Sequence, residues 1–138
     1  SSTGRFAAAF PIEPTVTREA DDIDGEPIEI HEFNAQTTDS TYLVAYTDLP
    51  EAFLNQGSEV VLNTVRDSLI EDMGLEGLTS LEQTISLNDY PGRQYRYSDR
   101  DSAFDMRLYL VDERIYLVAG TGANEAIVDR FMGSFELL

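Results

Sequence analysis

Along most of this chain apolar and polar residues alternate with the period of two that a half-buried strand requires. In two stretches they change to the period of a helix. Phe6 to Phe10 reads as a short strand ended by Pro11, with Pro14 suited to an edge or a bend. Val16 to Ile23 and Ile28 to Phe33 flank Asp24-Gly25, a hairpin signal. Thr41 to Thr47 is rich in β-branched and aromatic residues and stops at Asp48-Leu49-Pro50. From Ser58 to Met73 the residues Val61, Leu62, Val65, Leu69 and Met73 form one helical stripe. Ser58 is its expected N-cap, Glu59 suits the positive end of the dipole, and Gly74 suits the left-handed position that ends a helix. Leu78 to Leu87 and Arg93 to Tyr97 read as strands on either side of a turn, Asn88-Asp89-Tyr90-Pro91-Gly92. After a polar loop from Ser98 to Ser102, Phe104 to Val111 and Arg114 to Ala119 form a hairpin about Asp112-Glu113. Asn124 to Met132 is a second helix with Ile127, Val128 and Phe131 turned inward, and Ser134 to Leu138 is extended.

Strands joined by loops this short must run antiparallel, and the two helices interrupt strand runs without alternating with them. The expected class is therefore α+β: one domain over residues 1–138, an antiparallel meander flanked by helices. A two-residue turn at Asp112-Glu113 sets Leu110 opposite Ile115, Leu108 opposite Leu117, Tyr109 opposite Tyr116 and Arg107 opposite Val118. Pairing Tyr97 with Phe104 sets Arg96 opposite Asp105. One face is then aliphatic, and the other carries Arg96, Arg107, Tyr109 and Tyr116. Such a face is either a half-covered surface sealed by aromatic bodies or a recognition surface, since Arg and Tyr favour interfaces.

Charge narrows the partners. There are 26 acidic residues against 9 basic ones, all arginine, for a formal net charge of −17. That field repels nucleic acid and anionic membrane, and leaves basic proteins and cations. Solubility, or a salty setting, explains the same excess. No cysteine is present, which removes disulfides, thiolate metal sites and cysteine nucleophiles. No run is long and apolar enough to span a membrane as a helix.

Motifs for chemistry are few. Gly120-Thr121-Gly122-Ala123-Asn124-Glu125 follows a strand and opens a helix, but Glu125 stands where a dinucleotide loop needs its third glycine, so it reads as a loop leading into a helix. Asp21, Asp22 and Asp24 resemble part of a calcium loop, yet Ala20 and His31 occupy positions that an EF-hand fills with acids. Asp99 and Asp101 form a second acidic cluster. His31 is the sole histidine, and no Gly-x-Ser-x-Gly elbow accompanies it. The expectation is a chain without catalytic residues or cofactor, with a small cation-binding module as the alternative and a hydrolase behind it.

Phe6-x-x-x-Phe10-Pro11, Val44-Ala45-Tyr46-Thr47-Asp48-Leu49-Pro50, Tyr90-Pro91-Gly92-Arg93, Arg107-Leu108-Tyr109-Leu110-Val111 with Arg114-Ile115-Tyr116, and Phe131-x-x-Ser134-Phe135 follow one another in that order. The set resembles small exported bacterial domains of unassigned function whose layout is similar to the PsbP-like fold. That resemblance spans nearly the whole chain. It implies an α/β/α sandwich and a non-catalytic binding, accessory or assembly role in a periplasmic, lumenal or lipoprotein-type setting. A chain opening at Ser1 fits a processed exported protein or a trimmed piece. No docking or metal residue of that family matches a motif here, and the lysine-rich docking character of plant PsbP has no counterpart.

Overall fold

A computed structural model of the chain describes residues 4–23, 25–74, 81–98 and 101–138. Asp24 of the predicted hairpin turn, Asp99 and Arg100 of the polar loop, and the first residues of the strand predicted from Leu78 lie outside the described residues, as does the side chain of Met73. In chain order the elements are β1 (Phe6–Ala7), β2 (Thr15–Ile23), β3 (Glu26–Gln36), β4 (Ser40–Asp48), α1 (Glu51–Leu54), α2 (Ser58–Met73), β5 (Glu82–Leu87), β6 (Tyr90–Ser98), β7 (Ala103–Val111), β8 (Arg114–Gly122), α3 (Glu125–Ser134) and β9 (Glu136–Leu137).

Seven strands form one antiparallel sheet in the order β2-β3-β4-β8-β7-β6-β5, and β1 pairs with β9 in a separate ribbon. The chain lays down a first meander, β2 to β4, and crosses to the far edge through α1 and α2. It returns in a second meander, β5 to β8, whose last strand closes antiparallel against β4. Among the described residues 53% are in strands and 24% in helices. The expected α+β class, a single meander in a helix-flanked α/β/α sandwich, is corrected by this: the chain is mainly β. The physical reason is the length of the strands. The strands of the main sheet run to nine and eleven residues, whereas the two longer helices lie one to a face and make no helical layer.

The sheet faces follow alternation. Leu110 pairs with Ile115, Leu108 with Leu117, Tyr109 with Tyr116 and Arg107 with Val118, as the two-residue turn requires, and Arg96 pairs with Asp105 across β6 and β7. One core is aliphatic: Leu108, Leu110, Ile115 and Leu117 meet Phe53 of α1 and Val61 and Leu62 of α2. The other is aromatic: Tyr42, Tyr46, Tyr109 and Tyr116 meet Phe6, Phe131 and Phe135.

Local chemistry sets the boundaries. Gly74 takes the left-handed position (φ 69°) at the end of α2, but the N-cap is Gly57 (φ 97°), not Ser58, and no side chain caps that end. In α3, Asn124 caps, its Oδ1 accepting from the Ile127 N–H. Ile127 points outward, 43% exposed, and Met132 takes the buried place beside Val128 and Phe131. The turn expected over 88–92 tightens to Asn88-Asp89, both at positive φ, and Pro91 and Gly92 belong to β6. Gly92 is needed there because the ring of Tyr109 lies across it: a Cβ would stand 2.7 Å from that ring and 2.6 Å from the Leu108 carbonyl oxygen.

Candidate functional site

Strand alternation brings Arg96, Arg107, Tyr109 and Tyr116 to one face, whose tyrosine half is closed. Tyr109 is 5% and Tyr116 1% exposed. Phe135, just past α3, stacks on Tyr109 at 6.0 Å and meets Tyr116 edge-on at 5.6 Å. Tyr116 also donates its hydroxyl proton to the Gly4 carbonyl. Of the two readings of this face, the sealed one describes its aromatic half, which is core because α3 and Phe135 fold over it.

The arginine half is occupied by the protein's own acids. Asp105, 1% exposed, accepts from Gln94 Nε2 at 3.1 Å and pairs with Arg107 at 3.1 Å and Arg96 at 3.4 Å. Arg96 reaches on to Glu125 (2.7 Å) and Asp129 (2.8 Å) of α3. Burial alone would lower the Arg107 pKa, but the hydrogen bond and charge of Asp105 together with Tyr109 more than offset it and raise it. These are struts between sheet and helix.

The acidic candidates diverge. Asp21 and Asp22 are successive residues of β2, opposite Ile28 and Pro27, so their carboxylates leave opposite faces of the sheet. The Asp22 N–H donates to Asp21 Oδ1 at 2.8 Å. Asp24 lies outside the described residues, among which no group of three His, Asp or Glu is placed to hold a metal ion. His31 lies flat on Tyr46, 4.7 Å between centroids and 6° between planes, with Nε2 3.2 Å from Glu29.

A site that the sequence reading missed lies on the aliphatic face. There the hairpin of β2 and β3 runs on past His31, where pairing with β4 ends, as an arm, and the space between arm and α2 is a groove of about 430 Å³. Ile23, Ile28 and Ile30 of the arm, Leu43 of β4, and Val65 and Leu69 of α2 line it, all half-buried. Glu19, Asp21, Glu32 and Asp72 rim it, and among the described lining residues none is basic. Both sides were visible separately, as the isoleucines about Asp24-Gly25 and as the α2 stripe. Their meeting depends on β8 closing against β4, which no local pattern encodes.

Comparison with protein families, with curated proteins and with solved structures found no match to this chain. No helix among the described residues is long and apolar enough to cross a membrane.

Proposed function

We propose that the protein is a non-catalytic binding domain whose groove receives a basic segment of a partner protein carrying aliphatic side chains. One observation carries this reading: a half-buried aliphatic floor ringed by Glu19, Asp21, Glu32 and Asp72, with no base among the described lining residues to balance them. Concave, mainly apolar clefts of this size with a few convergent polar groups are where ligands bind. The floor supplies affinity, about 1.5–3 kcal/mol for each aliphatic side chain fully buried. The rim supplies sign, favouring a cationic partner and repelling an anionic one. An accessory or assembly role in an exported, periplasmic or lumenal setting is the larger-scale form of the same proposal and rests on the resemblance described above.

The test is a pair of synthetic peptides sharing a leucine core, one flanked by arginines and one by glutamates, titrated calorimetrically into the protein and into Leu69→Arg. The basic peptide binds the unaltered protein, the acidic one does not, and Leu69→Arg abolishes binding. Equal binding of both peptides, or indifference to Leu69→Arg, overturns the proposal.

A further inference from the structure

β2 is the outermost strand of the large sheet, hydrogen-bonded to β3 on one side, with no described strand on the other. It is nine residues long, and every side chain is exposed except the half-buried Ile23. Its pairing with β3 runs unbroken from Thr15–Asn34 to Ile23–Glu26, without a bulge. An edge this long and regular offers a row of backbone donors and acceptors, of which the Asp22 N–H is already taken by Asp21 Oδ1, and proteins commonly shield such edges with proline, bulges, charge or a covering element. Pro14 stands just before β2 and no proline lies within it, so the shield here is charge. Thr17, Glu19 and Asp21 face the groove side, and Val16, Arg18, Ala20 and Asp22 face the other.

We propose that the β2 edge is a strand-addition site. An extended segment of a basic partner lies along β2 as an eighth strand, alternating basic and small apolar residues. Its basic row sits beside Glu19 and Asp21, and its apolar row beside Val16 and Ala20. In strand addition the main-chain hydrogen bonds give affinity and the alternate side chains give specificity, and opposite charges directly across a strand pair favour the register. A second copy of this chain is the poorer occupant, since each copy carries a net −17 and the same acids on the same edge. This goes beyond the groove reading: the groove engages α2, whereas strand addition engages the backbone of β2.

The probe is a nine-residue peptide of alternating arginine and valine, made also with N-methyl groups on either alternate set of amides and as a glutamate–valine counterpart. Binding is followed by fluorescence anisotropy, and the exchange of β2 amide hydrogens by NMR. The arginine peptide binds and slows exchange in β2, and the glutamate peptide does not bind. N-methylation of one amide set weakens binding by about tenfold or more while the other set leaves it intact, because only one set faces β2. Glu19→Arg with Asp21→Arg also weakens binding by about tenfold or more, whereas Glu136→Arg, exposed on the distant β9, changes little. Leu69→Arg, which blocks the groove, leaves this peptide bound, so the two proposals fail separately. Equal binding of both N-methylated peptides, or unchanged β2 exchange, overturns strand addition.

Discussion

Replacing Tyr116 by serine tests whether the aromatic face is core or surface. The ring is 1% exposed and contacts Phe6 at 6.2 Å, Tyr46 at 6.0 Å and Phe135 at 5.6 Å. Truncating a buried aromatic ring costs about 3–5 kcal/mol, from lost transfer energy and from the cavity left behind. The hydroxyl adds a smaller amount that can be separated. It donates to the Gly4 carbonyl, which also accepts from Arg114 Nη1 at 3.1 Å. Tyr116→Phe therefore leaves no orphaned acceptor and costs about 1 kcal/mol. Urea unfolding of the two variants, compared at constant m, reads both numbers. Against a domain stability of about 5–15 kcal/mol, Tyr116→Ser should lower the midpoint steeply yet retain a folded baseline. Tyr109→Ser should behave similarly, because its ring lies parallel to Phe135 at 3°. Tyr97→Ser, 47% exposed on the other face, is the control and should cost within about 0.5 kcal/mol. A loss below about 1 kcal/mol for Tyr116→Ser would show that water already reaches the ring, and would reopen this face as a recognition surface.

With a net charge of −17, the melting temperature should rise from low to moderate sodium chloride; a flat curve would show that the charges are harmlessly spaced. Gly92→Ala drives a methyl into the Tyr109 ring and the Leu108 carbonyl and should lower stability by about 1–3 kcal/mol in urea unfolding. The hydrogen bonds from Arg114 hold the Asp48 carboxyl below its usual range, with burial opposing. A depressed folded pKa stabilises above the unfolded value near pH 4 and is lost as pH falls through the folded one, so the stability gap between the unaltered protein and Asp48→Asn should close below about pH 4. Calorimetric heat with calcium should be unchanged by Asp22→Asn, because Asp21 and Asp22 point to opposite faces.

The strands were legible because alternation is local, and so was the register of β7 on β8, because Asp112-Glu113 leaves room for one turn only, and of β6 on β7, because pairing Tyr97 with Phe104 sets Arg96 against Asp105. The extent of α2 was legible from its stripe and Gly74, while its cap was displaced by one residue to Gly57. Sheet order was not legible. Nothing local in Tyr42, Val44 or Tyr46 says that their outer neighbour is β8, some seventy residues on, and not the next strand in the chain. The class was misjudged for the same reason: two helices were counted as a layer, although neither extends across the sheet it covers. The groove was lost with the sheet order, since its two walls come from β2–β3 and α2 and meet only once β4 and β8 have paired.

The distribution of charge ties fold and site together. The arginines are placed at joints. Arg66 (3.0 Å) and Arg93 (3.4 Å) meet Glu82, and Arg93 meets Glu59, which fastens α2 to β5 and β6. Burial pushes the Glu82 pKa up, but the Tyr95 hydroxyl and Arg66 hydrogen-bond the carboxylate and hold it below its usual range, as a strut that stays charged requires. Arg96 fastens α3 to β6 and β7. Arg114, 7% exposed, joins Asp48 at 2.7 Å to the Gly4 carbonyl and lies over the Tyr46 ring at 4.4 Å, fixing the N-terminal segment across the sheet. With these four arginines drawn to joints, the acids of the β2–β3 arm and the groove rim keep much of their field; Arg18, beside Glu29 at 3.7 Å, is the arm's one arginine. A purely solubilising surplus would have no reason to gather around an aliphatic floor. Here Glu19 and Asp21 belong both to the groove rim and to the edge strand β2, so under both proposals one pair of carboxylates would favour a cationic partner.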